Sequence, residues 1–322
     1  MRVGLDVGGT KTDAVAVDAA GHIAGRVRLA TGWGPDGVAQ TVLDAVAALR
    51  RAHIGEAAVA SVGVGMPGQV GPGTTRVMHA VNLGVADLDL AAAVSARLGA
   101  PVGVENDVKA AAIGAYALRA GRSETMAYLN LGTGIAAGIV RDGRLWRGAH
   151  GTAGEVGHIS VDPQGPRCRC GQLGCIEALS GGASIAKRWG RPAPLPVLDM
   201  LDAADAGNAD AQRLRAGLVE GVAAAVRILV LTCDVDVVVL GGGLTALGDR
   251  LLSGVVRQLA ASAEASAFMR SLALADRVEL LPRGSAAAAF GAALVGAARA
   301  EQGPDGAAGI TAHDTKETVA HG

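Results

Sequence analysis

The chain has 322 residues, half of them apolar, and a formal net charge of −1. That length and apolar share are enough for one large or two medium domains with real cores. A near-neutral chain with three Trp, two Tyr and two Phe has neither the basic face nor the stacking aromatics of a nucleic-acid binder, so no nucleic-acid partner is expected. No apolar run reads as long enough to span a bilayer. Asp6 falls where a signal peptide needs an unbroken apolar core. A soluble, cytoplasmic protein without a membrane partner is therefore expected, with its four cysteines reduced and available to metal.

In chain order, the first strong signal is Val3 to Ile23: a strand, a Gly-Thr turn, a second strand, then a reversal into a third. The turn is Asp6-Val7-Gly8-Gly9-Thr10-Lys11. Its glycines let backbone N–H groups approach phosphate oxygens. Thr10 adds a hydroxyl and Lys11 a charge, and Asp6 could orient hydrated Mg²⁺. The segment lacks the G-x-x-x-x-G-K-[ST] loop, and an ordinary hairpin turn is the competing account. Val38, Val42, Val46 and Leu49 recur at helical spacing. Short apolar strands are predicted at Val59–Gly65, Pro101–Glu105 and Asp236–Leu240. Gly63 to Gln69, with Gly68, reads as a rigid apolar turn.

Glu105-Asn106-Asp107 stands where a strand ends and an Ala-rich helix begins. A helix cap explains such residues by itself. As a functional pair, Asn106 could grip a hydroxyl while Asp107 takes the proton from an attacking alcohol, the need of phosphoryl transfer. From Tyr128, the segment Y-L-N-L-G-T-G-I-A-A-G-I-V-R-D-G-R-L repeats the opening pattern, with Gly132-Thr133-Gly134 as its turn. A unit used twice predicts two related lobes, and a nucleotide held between them would meet donors from both sides.

His158, Cys168, Cys170 and Cys175 fall in one Gly- and Pro-rich stretch, and Glu155 and Glu177 flank it. Three thiolates and one imidazole can close a tetrahedral shell around zinc, and the metal would stiffen a loop with little apolar means of holding shape. A disulfide is the rival, disfavoured by the closeness of Cys168 to Cys170. The two glutamates, left outside that shell, could accept hydrogen bonds from a polyol or be plain surface charges. Ala211 to Leu231 reads as a long buried helix. Gly241-Gly242-Gly243 follows a strand and could admit a base or ribose against bare backbone, or be a simple strand-to-helix loop. Gly284 to Ala300 reads as a final helix, and a disordered tail is expected over 301–322. Strands alternating with helices predict an α/β protein.

Taken together, D-V-G-G-T-K, G-V-G-M-P-G, E-N-D, L-G-T-G-I-A-A-G, E-V-G-H, C-R-C-G-Q-L-G-C-I-E and V-L-G-G-G-L resemble the ROK family in kind and order, from Asp6 to Leu244. The resemblance implies a two-lobed actin-like ATPase fold, related to ribonuclease H, with ATP and a hexose in the cleft. Residues 1–106 would form one lobe and 107–283 the other, with the zinc loop at 158–177 and the helix of 284–300 returning to the first lobe. It implies an ATP-dependent kinase for a hexose 6-hydroxyl, a glucokinase before an N-acetylglucosamine or N-acetylmannosamine kinase. Asp107 would be the catalytic base. Gly68, Asn106, Asp107, Glu155, His158 and Glu177 would touch the sugar. Asp6, Gly8, Gly9, Thr10, Lys11, Gly132, Thr133, Gly134, Gly241, Gly242 and Gly243 would serve ATP and its Mg²⁺. The zinc would be structural, and the assembly a homodimer or homotetramer. The family's sugar-responsive repressors carry a helix-turn-helix ahead of the first glycine turn, and with that turn at Gly8 a repressor is not expected. Where the family often reads E-N-D-A-N-A-A, this chain has E-N-D-V-K-A-A, with Lys109 in place of Asn.

Overall fold

The computed structural model describes residues 1–71, 73–119, 125–264 and 266–302. It is built on two five-stranded sheets of one topology. The first half runs β1 (Arg2–Val7), β2 (Lys11–Val17), β3 (Ile23–Ala30), α1 (Gly34–Leu49), β4 (Ser61–Met66), β5 (Gln69–Val70), β6 (Arg76–Ala80), β7 (Val85–Asp89), α2 (Leu90–Leu98), β8 (Val102–Asn106) and α3 (Asp107–Leu118). The second runs β9 (Thr125–Leu131), β10 (Ile135–Arg141), β11 (Arg144–Trp146), α4 (Ile176–Ser180), α5 (Gly182–Trp189), α6 (Pro196–Asp205), α7 (Ala209–Cys233), β12 (Val237–Gly241), α8 (Asp249–Glu264), α9 (Ala267–Ser271), β13 (Val278–Leu280) and α10 (Ala287–Gln302).

The sheet orders are β3-β2-β1-β4-β8 and β11-β10-β9-β12-β13. In each, three antiparallel strands lead into two parallel ones. This is the unit seen twice in the sequence, since each Gly-Thr turn joins the first two strands of its sheet. A small sheet, β5-β6-β7, extends the first half; no period-two pattern marks it in the sequence.

Small residues set how the halves meet. A Cβ on Gly4 would overlap the Ala289 carbonyl, and one on Gly63 that of Ala292, so α10 lies flush on β1 and β4. A Cβ on Gly291 would overlap the Ala110 carbonyl, so α10 also crosses α3 at backbone contact. The alanines and glycines of α3 and α10 are thus the packing surface of these helices.

Two expectations need correcting. The α7 helix is long and apolar enough, by length and composition, to cross a membrane. Half of its most apolar window is buried inside the protein, where Leu214, Leu218, Val222, Val226 and Leu229 pack in the core of the second half, so its apolar length is spent on that core. Glu301 and Gln302, assigned to the tail, form the end of α10, and the rest of that tail lies outside the described residues.

Candidate active site

A cavity of about 970 Å³ opens between the two halves. The first-half strands and the N-termini of α3 and α10 provide one part of its wall, and the β9–β10 turn and the segment after β12 provide another. Strand register explains its charged row. Asp6 pairs with Asp13 across β1 and β2, and Asp13 pairs with Arg28 across β2 and β3. All three share a face with Gly4, which meets α10 further along. Arg28 grips Asp13 through Nε (2.9 Å) and Nη2 (2.8 Å), and Arg26 joins at 3.4 Å. Burial, helped by Asp107 and Asp13 and opposed by Arg26 and Arg28, pushes the Asp6 carboxyl up to about 7.

Asp107 is the first residue of α3, and Asn106 is its cap. Asn106 Oδ1 accepts from the N–H groups of Val108 (3.1 Å) and Lys109 (3.2 Å), and Nδ2 donates to the Gly68 carbonyl at 3.1 Å. The capping and functional accounts therefore coexist: Asn106 fixes the turn at Gly68 to the helix and keeps one amide proton. Asp107 Oδ1 accepts from the Val108 N–H at 2.9 Å. The carboxyl keeps an edge on the cavity, yet it is packed deeply enough for burial to raise its pKa, and the Glu155 charge raises it further.

The two Gly-Thr turns both reach the cavity. Gly8 N–H closes the first turn on the Lys11 carbonyl (2.9 Å), and Gly132 N–H closes the second on that of Gly134 (3.1 Å). Gly8, Gly9, Gly132, Thr133 and Gly134 line the cavity, as do Gly242 and Gly243. Thr10 and Lys11 are not among the lining residues; Lys11 is exposed where β2 begins. Gly241 is also absent from the lining, being the buried end of β12 under Tyr128.

Glu155, His158 and Glu177 reach the cavity from the second half. Glu177 is buried, with Oε2 accepting from the Ile135 N–H (3.0 Å) and Oε1 from Arg169 Nε (3.1 Å). His158 Nδ1 lies 3.8 Å from Cys168 Sγ, and Cys170 Sγ lies 3.6 Å from Cys175 Sγ. The ligand atoms of all four residues lie within 4.8 Å of one another. A tetrahedral zinc with bonds of about 2.0–2.3 Å needs donors roughly 3.5–3.8 Å apart, so the donor set fits it. Burial pushes the Cys175 thiol up to about 12, so without a cation it is held as the neutral thiol. The cysteines are free thiols, with no disulfide among them. His158 turns Nδ1 to the sulfurs, which leaves Nε2 for the cavity.

Reading the sequence missed Asp13, Arg26, Arg28, Tyr128, Asn130 and Arg169, all of which line the cavity. Asn130 had a signal: L-N-L-G in the second repeat matches L-D-V-G in the first, which pairs Asn130 with Asp6. Arg26 and Arg28 had none, because only strand register brings them to the cleft, and Arg169 comes in on the loop that carries the cysteines.

Paired sheets of this topology around such a cleft define the class: the actin-like ATPase fold. The ROK family model matches residues 2–298. The glucokinase of Halalkalibacterium halodurans is 31% identical over 282 residues, covering 81% of this chain and 86% of that protein. The N-acetylmannosamine kinase of Yersinia pseudotuberculosis is 31% identical over 240 residues, covering 74% and 81%. A ROK family glucokinase from Streptomyces griseus, solved in complex with glucose and AMPPNP, superposes with a TM-score of 0.73 at 29% identity, covering 92% of this chain and 99% of that one. The chain belongs to the ROK family and is a sugar kinase of that family.

Proposed function

We propose that this ROK sugar kinase transfers the γ-phosphoryl group of ATP to the 6-hydroxyl of a hexose, glucose first. The observation that carries the reading is the position of Asp107. It stands in the cavity wall at a helix N-terminus, in a cleft that both Gly-Thr turns also line.

Asp107 accepts the proton of the sugar hydroxyl as the oxygen attacks phosphorus. One carboxylate oxygen is held by Val108 N–H, so the other is aimed rather than free. Asn106, Glu155, His158 Nε2 and Glu177 bind the remaining hydroxyls, with the backbone at Gly68 beside them. Gly8, Gly9, Gly132, Thr133 and Gly134 take the phosphates, and Gly242 and Gly243, beyond Gly241, take the nucleoside. Asp6 holds hydrated Mg²⁺, which supplies charge neutralisation at the transferring phosphate. Residues 1–106 and 107–283 act as jaws whose closure excludes water, a competing acceptor. His158, Cys168, Cys170 and Cys175 hold one structural zinc that stiffens residues 158–177. The setting is cytoplasmic and the assembly a homodimer or homotetramer.

Support for glucose comes from the glucokinase relative and from the glucose-bound neighbour. The N-acetylmannosamine kinase of equal identity sustains a second reading, an N-acetylated hexosamine. ADP release measured with ATP and glucose, mannose, N-acetylglucosamine or N-acetylmannosamine separates them. The expected result is a kcat/KM for glucose at least about tenfold above either acetylated sugar, a difference of about 1.4 kcal/mol. A preference for N-acetylmannosamine overturns the glucose assignment.

A further inference from the structure

Lys109 departs from the common family pattern and takes no part in the mechanism above. Its surroundings give it a task. It lies on α3, two residues after Asp107, and is only 6% exposed. A buried ammonium is costly unless acceptors meet it, and a neutral residue of equal length would avoid that cost. The helix can bring it in because Gly138 on β10 has no side chain: a Cβ there would stand 3.3 Å from the Lys109 Cα. Lys109 Nζ donates to the Gly151 carbonyl.

Gly151 is the middle of the loop that joins β11 to Glu155. Gly148, Gly151 and Gly154 in this loop have φ of +72°, +74° and +93°, conformations glycine reaches freely, so the loop has little stiffness of its own. Both ends are tied. At one, Arg147 Nε and Nη2 bind the buried Glu105 at 2.8 and 2.7 Å. At the other, Ala137 N–H donates to the Gly154 carbonyl at 2.7 Å. Among the described residues, the hydrogen bond that reaches 148–152 from outside the loop is the one from Lys109. Next along the chain from Gly154 comes Glu155, exposed, lining the cavity and within electrostatic reach of Asp107.

We propose that Lys109 is a positioning residue for sugar binding: by holding Gly151 it fixes the 147–155 loop to the helix that carries Asp107, and so presents Glu155 to the sugar. This rests on Glu155 being a sugar contact, as assigned above. Preorganisation of this kind is felt in affinity for the acceptor, not for the nucleotide.

The test uses Lys109→Met, Glu155→Gln and the double variant in the full-length enzyme. Lys109→Met should raise the sugar KM about tenfold, leave the ATP KM within about twofold and kcat within about threefold, and speed amide exchange over 148–153 about tenfold while β9 and β10 exchange as before. Glu155→Gln should raise the sugar KM alone and add less than about twofold on top of Lys109→Met. Additive effects, an ATP KM that rises as far as the sugar KM, or unchanged exchange in the loop would overturn the proposal. If Lys109→Met does not fold, Lys109→Gln, polar and too short to hold Gly151, is judged by the same criteria. Glu155→Gln with an unchanged sugar KM would defeat the assignment of Glu155 itself, and the exchange measurement would then decide the tether alone.

Discussion

The two Gly-Thr turns occupy the same place in two sheets of the same topology, yet they are built differently. The second is stapled: Gly182 N–H, at the start of α5, donates to the Gly132 carbonyl at 2.9 Å, and Ala183 N–H to that of Thr133 at 3.1 Å. Glu177 adds a third tie at Ile135. The first turn is held from outside by one such bond, Thr31 N–H to the Thr10 carbonyl at 3.1 Å, and leaves Gly9, Thr10 and Lys11 exposed. The strands before the turns differ as well. The first carries Asp6 where the second carries Asn130, and α3 opens on Asp107 where α10 opens on Ala287. A duplicated scaffold has divided its labour at the turns: the strand and helix beside the first bring Asp6 and Asp107 to the cleft, while the second is tied down and the carboxylate against it, Glu177, is paired with Arg169. A phosphate is repelled by unpaired carboxylates, which makes the second turn, with Glu177 neutralised by Arg169, the better seat for it.

Disturbing the side of the first turn should have the larger effect. Asp6→Asn is expected to lower kcat about a hundredfold by removing the ligand for Mg²⁺, measured with saturating ATP. The same variant reports on stability. With a folded pKa of about 7 against an ordinary 3.8, the native state binds this proton more tightly than the unfolded chain. The stabilisation is therefore complete below about pH 4 and is lost as pH rises to about 7, a change on the order of 4 kcal/mol without divalent cation. Melting curves should show the parent losing stability over that range and Asp6→Asn losing much less. An equal loss in both would remove Asp6 as the cause.

Cys170→Ser tests whether the metal loop serves the sugar wall alone. Bound zinc, measured by elemental analysis, should fall from about one equivalent to far below it, and the sugar KM should rise about tenfold. Zinc retained at one equivalent would show that Cys170 is not a ligand. The smallest change, Asn130→Asp, places a carboxylate before the second turn, as Asp6 stands before the first. It should raise the ATP KM about five- to tenfold with the sugar KM unmoved. No change in the ATP KM would mean that the neutral side chain at position 130 is not what favours the phosphates.

Much of this division was legible in the sequence. The repeat, both turns, E-N-D and the Cys-His cluster are local patterns, and local chemistry maintains them. Asp13, Arg26 and Arg28 were not legible, because an alternating strand shows which residues share a face and not what that face meets. Lys109 was visible as a departure from the family pattern, but its use depends on Gly138 thinning β10 some thirty residues away. The α4–α6 region carried no clear periodic signal, and Glu177 looked like a free carboxylate until the fold placed it between Arg169 and Ile135.

The most direct measurement on the central claim is turnover set against binding in Asp107→Asn. Calorimetry should find glucose and a non-hydrolysable ATP analogue bound within about threefold of the parent, while kcat falls about a thousandfold, as loss of a general base demands. A kcat within about tenfold of the parent, with binding intact, would contradict the account.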